Sequence, residues 1–428
     1  MPAIKLVEYP PPNIATQGAA EIRKYAEALF GKVIQALTAN GIDSPGTGQK
    51  SSTEPGPREI VIKGNLDEVN DVFYANRWTD GLPIIPPTID KVEEFLKYTD
   101  RSPDEVIGKF EPSKRECTVW KVAVNGIMAG CRPEYMPVLI AIAEALVDPL
   151  YPLIALGTTH ATTPLVIING PIIEQLDFNS SISTLGPGRQ ANSTVGRFTR
   201  LLLINISRFL PGLNEMAAFG WPGQFGMCLA EAEHESPWES LAVERGFQPG
   251  TSTVTAFCTA GLAGAFTTVG DTADEHLRGL AGFIPRNIDH GTLARSTRYK
   301  IVVLSPLVAG IIAQGGNSKQ NVKEYLFKNA RLTAAEVKDM EGFFVRKVDF
   351  EKLSQEGRVS KQYCTTNDSD LLPMTHSPDE FIIVVSGNPR RNRSIALRQP
   401  RGYPVTREIK LPQSWNDLTR DLKIPRQT

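Results

Sequence analysis

Three apolar runs constrain this chain more than any other feature. LVIINGP (165–171), KIVVLSPLVAG (300–310) and FIIVVSGNP (381–389) each hold a β-branched stretch that ends in Asn or Ser, with Gly close behind. A run without polar alternation suits a strand buried on both faces, as in a parallel sheet under helices. Helical patterns lie between the runs, at TVGRFTRLLLINISRFL (194–210) and NVKEYLFKNARL (321–332). The expected fold class is α/β: a mainly parallel or mixed sheet with flanking helices. The shared shape of the three strand ends is that of a degenerate internal repeat.

A different pattern opens the chain. Ile22, Tyr25, Ala26, Leu29, Val33, Ala36 and Leu37 recur at three- and four-residue steps, which predicts an amphipathic helix over 19–39, stopped by Asn40-Gly41. The polar Gly/Pro/Ser stretch 43–58 reads as a linker. Residues 1–42 are therefore expected to be a helical arm that buries its stripe either on the same chain or on a partner subunit, in a homo-oligomer or hetero-complex. The body begins with a short strand at EIVIKGN (59–65) and a helix over 66–78, stopped by the Pro-rich TDGLPIIPPT (79–88). CRPEYMPVLIAIAEALV (131–147) predicts a buried helix with Pro133 near its first turn. At about 150 residues per domain, the body divides into two α/β units, 59–250 and 251–428.

Charge and cysteine usage exclude several classes. Lys and Arg number 46 against 47 Asp and Glu, which argues against nucleic acid as partner and against an acidic disordered chain. The five cysteines, at 117, 131, 228, 258 and 364, form no CxxC pair, so neither a disulfide framework nor a structural zinc module is expected. The start of the chain lacks a cationic-then-apolar pattern, and PVLIAIAEALV (137–147), interrupted by Glu144, is too short to cross a bilayer. No membrane association and a cytoplasmic location are the expectations.

Four constellations carry candidate chemistry. In LGPGRQANSTVGR (185–197) a Gly-rich turn leads into a helix, and no acid occurs from Phe178 to Asn214. Arg189, Asn192, Ser193 and Arg197 are candidates to hold an anion there, although no dinucleotide or P-loop spacing is present. In CLAEAEHESPWESLAVERGF (228–247), carboxylates beside an imidazole suit proton transfer, with Glu231, Glu233 and His234 as candidates. Glu233, His234 and Glu235 are the alternative ligand set, with a divalent metal as the candidate cofactor. A third cluster, VSGNPRRNRSIALRQPRGYPVTR (385–407), offers Arg390 and Arg391 as an anion clamp, with RNA binding or a subunit interface as the alternatives. Among single residues, Cys131 precedes Arg132-Pro133 at a helix start, where a cation and the helix end would activate a thiol. His160 and His290, in Asp289-His290-Gly291, are weaker candidates.

Five of these segments together carry a family resemblance: WTDGLPIIPPT (78–88), VAVNGIMAGCRPEYMPVLIAIAEAL (122–146), INGPI (168–172), GRQANSTVGR (188–197) and CLAEAEHESPWESLAVERGF (228–247). They resemble the bacterial proteins related to the UGSC (seleno)protein family, over roughly residues 60–250 and more loosely beyond. The resemblance implies association with a thiol or selenol centre. The chain itself has no UGSC or CGSC tetrapeptide, so such a centre would lie on another polypeptide. The expected function is an enzyme acting on a small anionic substrate by acid–base or metal-assisted chemistry, lyase- or hydrolase-like. The alternatives are a thiol/selenol-coupled reductase subunit using Cys131, or a non-catalytic subunit of a larger assembly.

Overall fold

The computed structural model describes residues 19–38, 58–260, 263–287, 299–344, 349–357, 359–398, 402–420 and 422. Met1–Gly56 and Pro57–Thr428 are two separate compact units. The first holds the expected arm helix, Ala19–Thr38, on which Phe30, Val33, Ile34 and Leu37 are exposed. Asn40-Gly41 and residues 288–298, with Asp289 and His290, lie outside the described residues, as does the linker apart from Arg58.

Among the described residues the second unit carries twelve strands. In chain order these are β1 (Val106–Phe110), β2 (Arg115–Thr118), β3 (Thr163–Asn169), β4 (Met227–Ala230), β5 (Thr253–Thr259) and β6 (Ala263–Thr267), followed by β7 (Lys300–Leu304), β8 (Arg331–Thr333), β9 (Leu371–Pro373), β10 (Phe381–Val385), β11 (Arg393–Arg398) and β12 (Val405–Glu408). Two small antiparallel pairs, β1–β2 and β8–β9, stand apart from two four-stranded mixed sheets. The first of these has the order β12–β5–β3–β4 and the second β6–β11–β7–β10. In each, one parallel pair is followed by two antiparallel neighbours: β4 with β3, then β5, then β12; β10 with β7, then β11, then β6.

The two sheets thus repeat one pairing pattern, and the two halves of the unit exchange a strand. β5 lies in the first sheet, yet β6 directly after it joins the second. β11 lies in the second sheet, yet β12 after it returns to the first. The first sheet therefore draws on residues to both sides of position 250.

Alternation along the strands gives the layers. Val166 and Ile168 of β3, with Cys228, Ala230, Val254 and Ala256, pack in one core with the helices Val119–Ala129, Met136–Val147 and Gln190–Leu202. Val302 and Leu304, with Phe381, Ile383 and Val385, pack in another with Ala273–Asn287, Pro306–Gln314 and Lys319–Asn329. The intervening residues of both sheets share a third core: Leu165, Ile167, Met227, Leu229, Phe257, Ile301, Val303, Ile382, Val384 and Leu397. The sheets thus pack face to face, with helices outside each. The apolar runs are buried on both faces as expected, but the second cover is another sheet rather than a second layer of helices. Each such side chain stabilises the fold by about 1.5–3 kcal/mol relative to exposure.

Local departures have local causes. Residues 59–65 form no strand; Ile60 and Val61 are exposed and find no pairing partner, and Asn65 instead caps the helix Leu66–Ala75 in a capping box with Glu68. Pro133 lies in a 3₁₀ turn, Pro133–Tyr135, before the helix proper. Gly226 has φ +133°, and a Cβ there would stand 2.2 Å from the backbone of Gly196, so the helix Gln190–Leu202 touches the start of β4 through two glycines. The glycine at 196 serves this close approach rather than an anion turn.

Candidate active site

The parallel strands β3 and β4 end side by side, and the residues at their carboxyl ends are polar where the runs before them are apolar. Asn169 ends β3 and is fully buried; Glu231 follows β4 and is buried as well. Ligand sites of α/β sheets form at such strand ends. Asn169 Nδ2 donates to Glu231 Oε2 at 2.6 Å and to Glu233 Oε1 at 2.8 Å. Gly170 N donates to the same Glu233 oxygen at 2.7 Å. Leu241 N donates to Glu231 Oε2 at 2.8 Å. Two of the predicted carboxylates thus meet on one amide.

Residues from the second half of the chain complete the cluster. The side chain of Lys319 is 1% exposed, and its Nζ lies 4.0 Å from Glu231 Oε1 and 3.3 Å from Glu244 Oε2 while donating to Glu239 O at 2.9 Å. Lys323 also pairs with Glu244. Neither Asn169 nor the two lysines emerged from the sequence as site residues. Asn169 left one signal, a polar residue closing a doubly buried run; the lysines left none, because a helical lysine reads as solvated until its neighbours are known.

Burial raises the Glu231 carboxyl above its ordinary range; Lys319, the Leu241 N–H and Asn169 pull the other way. The folded protein therefore holds this proton more tightly than the unfolded chain does. The stability it contributes is complete below the ordinary carboxylate range and is lost as pH rises through the raised value. Glu231→Gln keeps the shape and cannot titrate. Its melting temperature should gain on wild type as pH goes from about 4 to about 8. A constant difference across that range in a thermal melt series would refute the assignment.

The two halves join at this edge. Ser386, which follows β10, places its Oγ 2.8 Å from Ala230 O and 3.0 Å from Ser180 O, and Ala232 N donates to Val385 O at 2.8 Å. Arg390 and Arg391 lie on the loop that follows, both exposed and without an ion pair among the described residues.

Other candidates take different places. His234 is 84% exposed and faces Glu174 at 3.1 Å, while Glu235 is exposed; Glu233 turns inward to Asn169. The candidate metal set Glu233, His234 and Glu235 therefore diverges, and among the described residues no group of three or more His, Cys, Asp and Glu could hold a metal ion. Three of the four arginines of the acid-free stretch are neutralised by acids that flank it or lie far off in sequence: Arg189 by Asp177 at 2.6 Å, Arg200 by Glu215 at 2.6 Å and Arg197 by Asp80 at 2.8 Å. Asn192 is buried and ties Asn179, Thr184 and Cys228 together, and Ser193 is exposed. The exposed His160 lies apart from this edge, between Thr158 and the start of β3.

Cys131 is buried, and burial pushes its thiol up to about 12. The Thr194 hydrogen bond and the Arg197 charge pull down, but less, so the activation expected from a helix start does not occur. Cys117, Cys228 and Cys258 are buried too; Cys364 is partly exposed. A thiol reagent at pH 8 should label Cys364 first and leave Cys131 unmodified in the native protein. Rapid labelling of Cys131, located by peptide mapping, would contradict this picture.

Compared with protein-family models, with curated proteins and with solved structures, the chain matches none. Among the described residues no helix is long and apolar enough to cross a membrane.

Proposed function

We propose that the chain is a cytoplasmic enzyme that moves a proton on a small anionic substrate, in a lyase- or hydrolase-like reaction. The observation that carries this reading is the Glu231–Asn169–Glu233 arrangement at the joined strand ends. One carboxyl is buried and raised, and its neighbour is half-buried within reach of solvent. Two carboxyls in unlike surroundings are what acid and base roles require. Arg390 and Arg391, without carboxylate partners among the described residues, are the groups to draw the anion to this edge. The ion-paired Arg189 and Arg197 hold the scaffold instead.

Kinship with the UGSC-related proteins belongs to the same proposal. Its support is spatial: the loop Thr79–Thr88, Gly130–Cys131 and the helix Gln190–Leu202 meet through Arg197 on Asp80, Leu82 O and Pro83 O and through Gln190 on Gly130 O. A thiol role for Cys131 is not favoured, given its burial. The test uses small carboxylates and phosphates in deuterated water, with hydrogen exchange at substrate carbon followed by proton NMR. Exchange or consumption of at least one anion supports the reading, and inertness toward the whole panel overturns it.

The arm helix, with its exposed Phe30, Val33, Ile34 and Leu37, is proposed to pair with a neighbouring subunit. Removing residues 1–42 should lower the mass seen by light scattering. An unchanged mass would sink this.

A further inference from the structure

We infer that Gly170 N–H and the Asn169 amide form a carboxylate cradle, which the chain's own Glu233 fills, and that the site takes a small 2-hydroxycarboxylate. The inference takes its site from the acid–base reading above and adds the ligand class.

Glu233 Oε1 accepts from both donors, at 2.7 and 2.8 Å, and among the described residues these are the only hydrogen bonds of that side chain. An incoming carboxylate oxygen can make the same two bonds, so displacing Glu233 loses no contact the ligand does not restore. The departing side chain has water to enter: it belongs to a single 3₁₀ turn, Glu233–Glu235, whose next two residues are exposed. Gly170 is held to its place, because a Cβ there would stand 2.6 Å from the backbone of Thr251 and Ser252.

The hydroxyl follows from what the cradle leaves unpaired. Both hydrogens of the Asn169 amide go to carboxylates, Glu231 and Glu233, which fixes its orientation, since a flip would turn the carbonyl oxygen against two acids. Asn169 Oδ1 is then buried with no donor among the described residues. Thr253 stands directly opposite Asn169 in the β3–β5 register, and its Oγ1 is also buried without a partner. Native interiors rarely leave such atoms unmade. One orphan needs a donor and the other can supply one. A hydroxyl beside the ligand carboxylate answers both, donating to Asn169 and accepting from Thr253. An ammonium in the same position can donate to both oxygens but leaves the Thr253 hydroxyl hydrogen without an acceptor, and a methyl answers neither.

Calorimetric titration of the full chain with glycolate, glycine and acetate tests this. Glu233→Ala empties the cradle, so glycolate should bind that variant at least about tenfold more tightly than wild type. Glycolate should also exceed glycine and acetate in affinity. A substitution that merely damaged the site would weaken binding, the opposite sign. No gain for any of the three overturns the cradle, and acetate or glycine binding as well as glycolate overturns the ligand class. Should Glu233→Ala not fold, glycolate titrated into ¹⁵N-labelled wild type must shift the Gly170 amide and the Asn169 side-chain signals; unmoved signals overturn the cradle. Binding without hydrogen exchange refutes the acid–base reading alone and leaves the cradle standing.

Discussion

Replacing Arg197 by alanine should destabilise the fold by about 3–5 kcal/mol, the usual cost of stripping one partner from a buried ion pair. The Asp80 side chain is 2% exposed, and its carboxylate takes two guanidinium N–H groups, at 2.8 and 2.9 Å. Without them, among the described residues, it keeps only the Leu82 N–H, at 3.2 Å. The same guanidinium donates to Leu82 O and Pro83 O, so the Pro-rich loop also loses its tie to the helix Gln190–Leu202. Arg197→Lys keeps the charge and loses the fork, and should fall between alanine and wild type. Pairing Arg197→Met with Asp80→Asn should recover part of the loss, because the uncompensated charge goes too. Urea unfolding of the three variants measures this. If Arg197→Ala unfolds within about 0.5 kcal/mol of wild type, the ordinary range for surface changes, the ion pair is not what holds the loop.

The second large effect is on rate. Glu233→Gln should slow turnover of the anion found in the exchange screen by about 10²–10⁴, the range for a lost general acid or base. The fold should tolerate it, since the amide oxygen can still accept from Gly170 N and Asn169 Nδ2. His234→Gln is the control: that ring is exposed and faces Glu174, so its loss should leave the rate within about twofold, in line with the small worth of exposed pairs. Equal losses in both variants would mean that the segment acts through its shape, not through Glu233.

The fold class was legible because three doubly buried strands cannot disguise themselves: a run such as Ile167-Ile168 has no polar face to offer water. The identity of the second cover was not. An apolar face reads the same whether a helix or a sheet lies on it. β12, with Thr406 and Arg407 only partly buried, has the half-polar character of an edge strand and no run to announce it. The acidic segment was legible as unusual composition, and Glu231 and Glu233 do meet on one amide. Which of its neighbours turn outward depends on the 3₁₀ turn at 233–235, a backbone detail without a periodic signal. The acid-free stretch misled for a plain reason. Sequence windows count charges along the chain, whereas Asp80 reaches Arg197 through space.

The exchanged strands have a consequence for how this protein is made. A nascent chain that has emerged only through Thr259 cannot finish its first sheet, because β12, which covers the edge of β5, has yet to be translated. Until then β5 presents an open edge of backbone donors and acceptors beside an uncovered apolar face, the condition under which chains associate wrongly. β6 waits in the same way for β11. Neither half can be a finished product on the ribosome, so the two must mature together, late and in one step. Chaperone demand during synthesis, rather than equilibrium stability, is where this topology would first be felt.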